Sequence, residues 1–253
     1  MKGLAVVIGL YALYAVLAIR LHTSFLYPFF DRPFDMAGFE PALAGEAQLQ
    51  VSAPGRVTIV YFMGNAGALA LFEAPLLDHL AAGRGVVALE YPGGGGLEGQ
   101  PSEEGLKAQA LAAYDWAVAE QGGPVVVHGY SLGSALALHV AARRDVAGVM
   151  LDAPFARICE QVARASLLPA CWLPGMDRWA STEDAAEVTA PVLIRHGALD
   201  DLVLPKDSAR LAEVLRRAGA EVTREMLEGA DHNDLFRHPR YAATGEAFLD
   251  TID

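Results

Sequence analysis

The chain has 253 residues and a mass of 26.9 kDa, 53% apolar and 20% charged, enough for one large core and too apolar for a disordered polyelectrolyte. Its 19 Lys and Arg stand against 31 Asp and Glu, a net charge of −12 with no basic cluster, which argues against nucleic acid as the main ligand. Two cysteines, Cys159 and Cys171, are too few for a disulfide framework or a four-ligand zinc site; they can form one bridge in an oxidising compartment, or none in the cytosol.

From Gly3 to Ile19 no residue is charged, and Lys2 and Arg20 bracket the run. As a helix it would span about 26 Å at about 1.5 Å per residue, slightly short of a bilayer core of about 30 Å. The run has no amphipathic period, which argues against a surface helix. A single-pass membrane anchor over residues 1–22 is the reading adopted. A cleaved signal peptide competes with it, since Val16-Leu17-Ala18 offers a small-residue site, and a core helix is the bland alternative. Lys2 before the run and Arg20 and Arg32 after it leave the orientation open.

Residues 23–253 read as one α/β domain. Apolar, β-branched runs predict buried strands at 57–63, 86–91, 125–128, 146–151, 192–196 and 221–227. Helical patterns fall at 103–120, 132–144, 206–218 and near 239–250. Ser102 before Glu103-Glu104 is an N-cap with acidic residues in the first turn, and Gly219 is placed as a C′ glycine. Such alternation implies a mostly parallel sheet with helices on both faces. Residues 153–190 break it: Pro154, Pro169, Pro174 and Trp172 lie among short helical fragments. A segment that long is more than a crossover loop and predicts a small cap over the carboxyl ends of the strands.

Gly129-Tyr130-Ser131-Leu132-Gly133 lies between a strand and a helix, the context a G-x-S-x-G nucleophile elbow requires. The serine must occupy a strained turn, and glycine on either side removes side chains that would collide with it or with the next strand. The helix that follows aims backbone N–H groups and its positive dipole end at the reacting oxygen. A serine hydroxyl needs a base, and the base an orienting acid. His196-Gly197-Ala198-Leu199-Asp200-Asp201 puts two carboxylates just past a strand, and Gly229-Ala230-Asp231-His232 follows the last strand. Ser131, then Asp200 or Asp201, then His232 has the chain order of such triads.

With these residues the chain resembles the N-terminally anchored α/β-hydrolase family, whose animal members include protein depalmitoylases and lysophospholipid lipases. The likeness covers about residues 23–250. It rests on Phe25-Leu26-Tyr27-Pro28, Gly64-Asn65-Ala66-Gly67, Tyr91 with the glycines up to Pro101-Ser102, Gly129 to Gly133, Ala153-Pro154-Phe155, His196-Gly197 with Asp200, and His232-Asn233-Asp234-Leu235. It implies Ser131 as nucleophile, Asp200 as acid and His232 as base. Two departures stand out. Met63 replaces the family's histidine before Gly-Asn, which is expected to reshape the acyl pocket. Pro205 falls five residues after Asp200 rather than four, so Leu204 reads as an insertion, with Asp201 and the strand-ending Asp152 as alternative acids.

Oxyanion donors are expected from the backbone of Leu132 and of Asn65 or Ala66. In the cap, Leu168, Trp172 and Trp179 are expected to contact substrate. Gly94-Gly95-Gly96-Leu97-Glu98-Gly99 fits G-x-G-x-x-G, but Pro101 separates it from the next helix, so it reads as a loop bordering the site. His128, His139 and His196 read as structural, and His238 as a weak rival base. No metal-ligand spacing is present, and the chemistry needs no cofactor. The expected function is hydrolysis of carboxylic ester or thioester bonds, on lipid-like or acylated substrates. A peptidase of the same fold and a non-catalytic binding scaffold are the alternatives.

Overall fold

In the computed structural model, residues 2–252 are described. Helix α1 (Lys2–Leu26) is long and apolar enough to cross a membrane by length and composition. Its first half is exposed, and only near its end, at Leu26, does a side chain become buried.

Eight strands form one sheet: β1 (Phe39–Ala44), β2 (Ala47–Ser52), β3 (Thr58–Phe62), β4 (Gly85–Glu90), β5 (Val125–Tyr130), β6 (Gly148–Asp152), β7 (Val192–Gly197) and β8 (Val222–Leu227). Their spatial order is β1-β2-β4-β3-β5-β6-β7-β8. Among the described residues only the β1–β2 and β2–β4 pairs are antiparallel. The central strands are buried along their whole length, as the near-continuous apolar runs require of a sheet covered on both faces. The hairpin β1–β2 extends the sheet beyond what the sequence signalled. Pro41 and an exposed, polar-interrupted pattern suit its position at the edge.

Helices α2 (Glu73–Ala81), α3 (Glu103–Glu120), α4 (Leu132–Ala141), α5 (Ile158–Ser166), α6 (Ser181–Ala185), α7 (Pro205–Ala218) and α8 (Tyr241–Leu249) complete the chain. Ser102 caps α3, its Oγ accepting from the Gly105 N–H at 3.1 Å, and Gly219 ends α7 in the left-handed conformation at φ 101°. Alternate residues of each inner strand go to opposite faces. Val60, Val127 and Ile194 join the main core with Leu106 of α3 and Leu136 of α4. Ile59, Val126 and Leu193 pack instead on Leu249 and Phe248 of α8. Between β6 and β7 lie α5, a 3₁₀ turn at Ala170–Trp172, and α6. A Cys159–Cys171 disulfide ties α5 to that turn.

Candidate active site

Strand order fixes where a site can form. The chain passes from β3 to β4 on one side, then crosses to β5 on the other side of β3. Loops leaving the carboxyl ends of β3 and β5 therefore diverge and leave a crevice. That crevice, about 260 Å3, is floored by Gly64, Asn65 and Ala66 after β3, Tyr130 and Ser131 at the end of β5, and His232 and Asn233 after β8. Phe30, Leu71, Phe72, Leu202 and Phe236 wall it.

Ser131 joins β5 to α4 with φ 51° and ψ −111°, a left-handed conformation that strains a residue with a side chain. Its neighbours explain why the chain tolerates it. A Cβ on Gly129 would lie 2.2 Å from the Gly133 carbonyl oxygen, and one on Gly133 would lie 1.9 Å from that of Phe62. Only glycines let the turn close this tightly against β3. The Ser131 N–H donates to the Asp152 carbonyl at 2.7 Å, pinning the turn to β6.

His232 Nε2 lies 3.0 Å from Ser131 Oγ, and His232 Nδ1 lies 2.7 Å from Asp200 Oδ2. All three residues are buried. The Tyr130 hydroxyl donates to the His232 carbonyl, so the residue beside the serine also holds the histidine loop. Asp200 Oδ1 accepts from the Leu202 and Val203 N–H groups at 3.1 and 2.7 Å. Its Oδ2 lies 3.2 Å from His196 Nε2, which is 2.8 Å from the Val203 carbonyl oxygen. Burial alone would push the Asp200 carboxyl up, but hydrogen bonds from His196 and His232 hold it well below the usual carboxylate range. A hydroxyl, an imidazole and an ionised carboxylate in one chain are the parts of a base-activated nucleophile.

The other expected residues land as follows. Asp201 is exposed, so Asp200 is the aspartate brought to His232. Asp152 points to the opposite face of the sheet and is engaged by Arg195, His128 and Tyr241. His238 accepts from the Arg240 N–H at 3.2 Å, outside the cluster. The amides of Leu132, Asn65 and Ala66 make no hydrogen bond among the described residues, and the Asn65 side chain reaches the Leu26 carbonyl at 3.5 Å. Met63 is buried in the main core and is not among the residues lining the cleft.

The cap residues need correction. Leu168, Trp172 and Trp179 are not among those lining the cleft. Trp179 is buried, with its indole N–H donating to the Tyr27 hydroxyl at 3.0 Å. Leu168 is buried too, and Trp172 faces outward. Packing against the end of α1 claims this segment, and the cleft walls come from the loops after β3 and β7 and from residues 30 and 236. The sequence also gave no sign that His196 contacts Asp200. Gly94 belongs to no nucleotide loop: a Cβ there would meet the Gly67 carbonyl oxygen at 2.0 Å, and this close approach seats the glycine run against the 64–67 loop. Among the described residues no group of three or more His, Cys, Asp or Glu side chains could hold a metal ion.

Residues 64–187 match the sequence profile of the alpha/beta hydrolase family. An uncharacterized protein of Mycobacterium tuberculosis is 36% identical over 179 residues, covering 68% of this chain and 61% of that protein. The lysophosphatidylserine lipase ABHD12 of Danio rerio is 33% identical over 181 residues, covering 63% of this chain and 46% of that one. The chain thus spans 46% to 61% of the length of these two relatives. The esterase Pf2001 of Pyrococcus furiosus superposes with a TM-score of 0.71 over 88% of this chain and 97% of that one, at 13% identity, a likeness of fold. By profile, residues 64–187 belong to the alpha/beta hydrolase family, and the chain has the alpha/beta hydrolase fold.

Proposed function

We propose that the protein is a serine hydrolase of carboxylic ester or thioester bonds, with Ser131 as nucleophile, His232 as general base and Asp200 as the acid that orients it. The observation that carries this reading is the relay of 3.0 and 2.7 Å through His232. His232 Nε2 takes the Ser131 proton as Oγ attacks the acyl carbonyl carbon, and Asp200 stabilises the imidazolium. The Leu132 amide and that of Asn65 or Ala66 receive the oxyanion; losing one such donor raises the barrier by roughly 3–4 kcal/mol. His232 then protonates the departing alcohol or thiol, and water, activated by the same histidine, releases the acyl group.

Aromatic and leucine walls around Ser131 and the lipase relative favour a lipid-like or acylated substrate. We assign residues 1–22 to a membrane anchor and 23–253 to the hydrolase domain, with 153–190 as its insertion. The apolar length of α1 supports the anchor.

A fluorophosphonate probe should label Ser131, identified by mass spectrometry, and label nothing in Ser131→Ala. Folded wild-type protein that stays unlabelled would overturn the nucleophile assignment and favour a binding scaffold. In a series of ester chain lengths, faster turnover of short soluble esters than of long ones would defeat the lipid-like substrate.

A further inference from the structure

Outside the cleft, the tip of the segment after α5 stands out. Residues 165–176, between Arg164 and Asp177, carry no charged side chain. Leu167 is 82% and Trp172 85% exposed. Large apolar side chains gathered so openly mark an interaction surface. The tip is held in shape from within, by the Cys159–Cys171 disulfide and a small core of Cys159, Ala170 and Met176 against Ile19.

The tip is also fastened to α1 at a telling height. The Tyr11 and Tyr14 hydroxyls, one helical turn apart, donate to the Leu167 and Ser166 carbonyls at 3.1 and 3.0 Å. Polar contacts lie at the other end of the shared surface, where the Asp177 N–H meets His22 at 3.2 Å and Tyr27 bonds to Asp177. Tyr11 lies about 16 Å along α1 from His22. An anchor must use nearly all of its charge-free stretch, residues 3–19, to cross a hydrocarbon core of about 30 Å. Tyr11 and Tyr14 sit in the middle of that stretch. The helix therefore cannot be embedded over its apolar length without carrying the attached tip with it.

Hydrocarbon accepts irregular backbone only where polar groups find partners within the protein. Here the N–H groups of Leu167, Ala170, Trp172 and Leu173 donate to the carbonyls of Ala163, Leu168, Pro169 and Ala170 at 2.8–3.3 Å. That of Leu168 donates to Ser166 Oγ at 3.3 Å, Pro169 and Pro174 have none to place, and those of Cys171, Gly175 and Met176 make no hydrogen bond among the described residues. The two tyrosine hydroxyls satisfy carbonyls that the end of α5 leaves open. Of the cations that flank the tip and the charge-free run in sequence, Arg164 lies 3.9 Å from Asp207, and Arg20 and Arg178 are exposed, with stems long enough to reach headgroups.

We propose that residues 165–176 form a second membrane-inserted element, sunk beside α1 into the same leaflet with Leu167 and Trp172 among the acyl chains. This rests on the anchor reading of α1. The groove of about 460 Å3 between α1 and α5, walled by Leu17, Leu21, Phe25, Val162, Ala165 and Met176, holds a lipid acyl chain. The chain runs from this groove directly into the cleft wall at Phe30, so insertion also fixes the height of Ser131 above the bilayer.

The test uses the full chain reconstituted in phosphatidylcholine vesicles whose acyl chains carry bromine, a quencher of tryptophan emission. Flotation reports the anchor, and comparison of wild type with Trp172→Phe reports the tip, with equal thermal midpoints confirming that the variant is folded. We expect both proteins to float, with bromolipid quenching of the wild type lost almost entirely in Trp172→Phe. Flotation with the same quenching in both overturns tip insertion and leaves the anchor standing. A chain that does not float overturns both.

Discussion

Asp152 and Asp200 look alike and do different work. Each ends or follows one of two neighbouring strands, each is buried, each touches a histidine, and each is held well below the usual carboxylate range despite burial. Asp152 meets Arg195 Nε and Nη2 at 2.7 and 3.0 Å, the Tyr241 hydroxyl at 2.6 Å, and His128 at 2.8 Å. His128 also lies 3.3 Å from Arg195 Nη2, and its other nitrogen leads to His79, 3.0 Å further into the protein. Among the described residues Asp200 pairs with no arginine. Backbone amides and His196 hold it, and its histidine leads to Ser131 and an open cleft. The Asp152 charge is neutralised where it lies, whereas in the proposed mechanism the Asp200 charge stabilises a proton arriving on His232. Sheet parity makes the difference, since Asp152 shares a face with Met150 under α8. Which buried carboxylate can serve chemistry is decided by what its partner faces.

The widest contrast should come from neutralising each carboxylate. Asp200→Asn is expected to lower kcat about 10⁴-fold, with little change in the urea midpoint. Asp152→Asn should do the reverse, keeping turnover per folded molecule while the abandoned Arg195 charge costs about 3–5 kcal/mol of stability. Equal rate losses in the two variants would break the comparison. Acid should act first through the sealed network. Burial, then neighbouring charge, lowers the His79 pKa, and burial outweighs Asp152 at His128. Both folded-state values lie below the unfolded value of about 6.5, so the unfolded chain binds the extra protons in between. Stability is full above about pH 6.5 and declines as pH falls. The depressed Asp152 adds a further loss only below about pH 4, the unfolded carboxylate range. A urea midpoint flat from pH 7 to 5 would contradict the histidine part. The smallest effect belongs to Asp201→Asn. An exposed substitution of this kind shifts energies by about 0.5 kcal/mol or less, so kcat/KM should stay within about twofold.

How legible each part was follows from how local its cause is. The elbow could be read because strand, turn and helix are consecutive and the glycines answer to contacts within a few residues and to β3. The acid was ambiguous in spacing alone. An Asp200 side chain accepting from Leu202 and Val203 turns the loop back on itself and leaves Asp201 outside. The β1–β2 hairpin escaped because short edge strands with a proline have no continuous apolar run. Helix α2 is nine residues with Pro75 in its first turn, too short to show a period. The Asp152 network draws on β5, β6, β7 and α8, and nothing in one stretch of sequence joins them. The aromatic cap was misread because composition reports that Trp172 and Trp179 are apolar, and only packing with α1 decides which way they face.

Anyone diversifying this protein inherits a map from the contacts around the elbow. Libraries at Gly129 and Gly133 would consist almost wholly of dead clones, because backbone atoms stand where any new carbon must go. Leu71, Leu202 and Phe236 line the same crevice from outside the elbow, so under the proposed function variation there is expected to change which acyl group fits without disturbing the turn that holds Ser131. The positions to randomise and the positions to leave alone are thus a few ångströms apart.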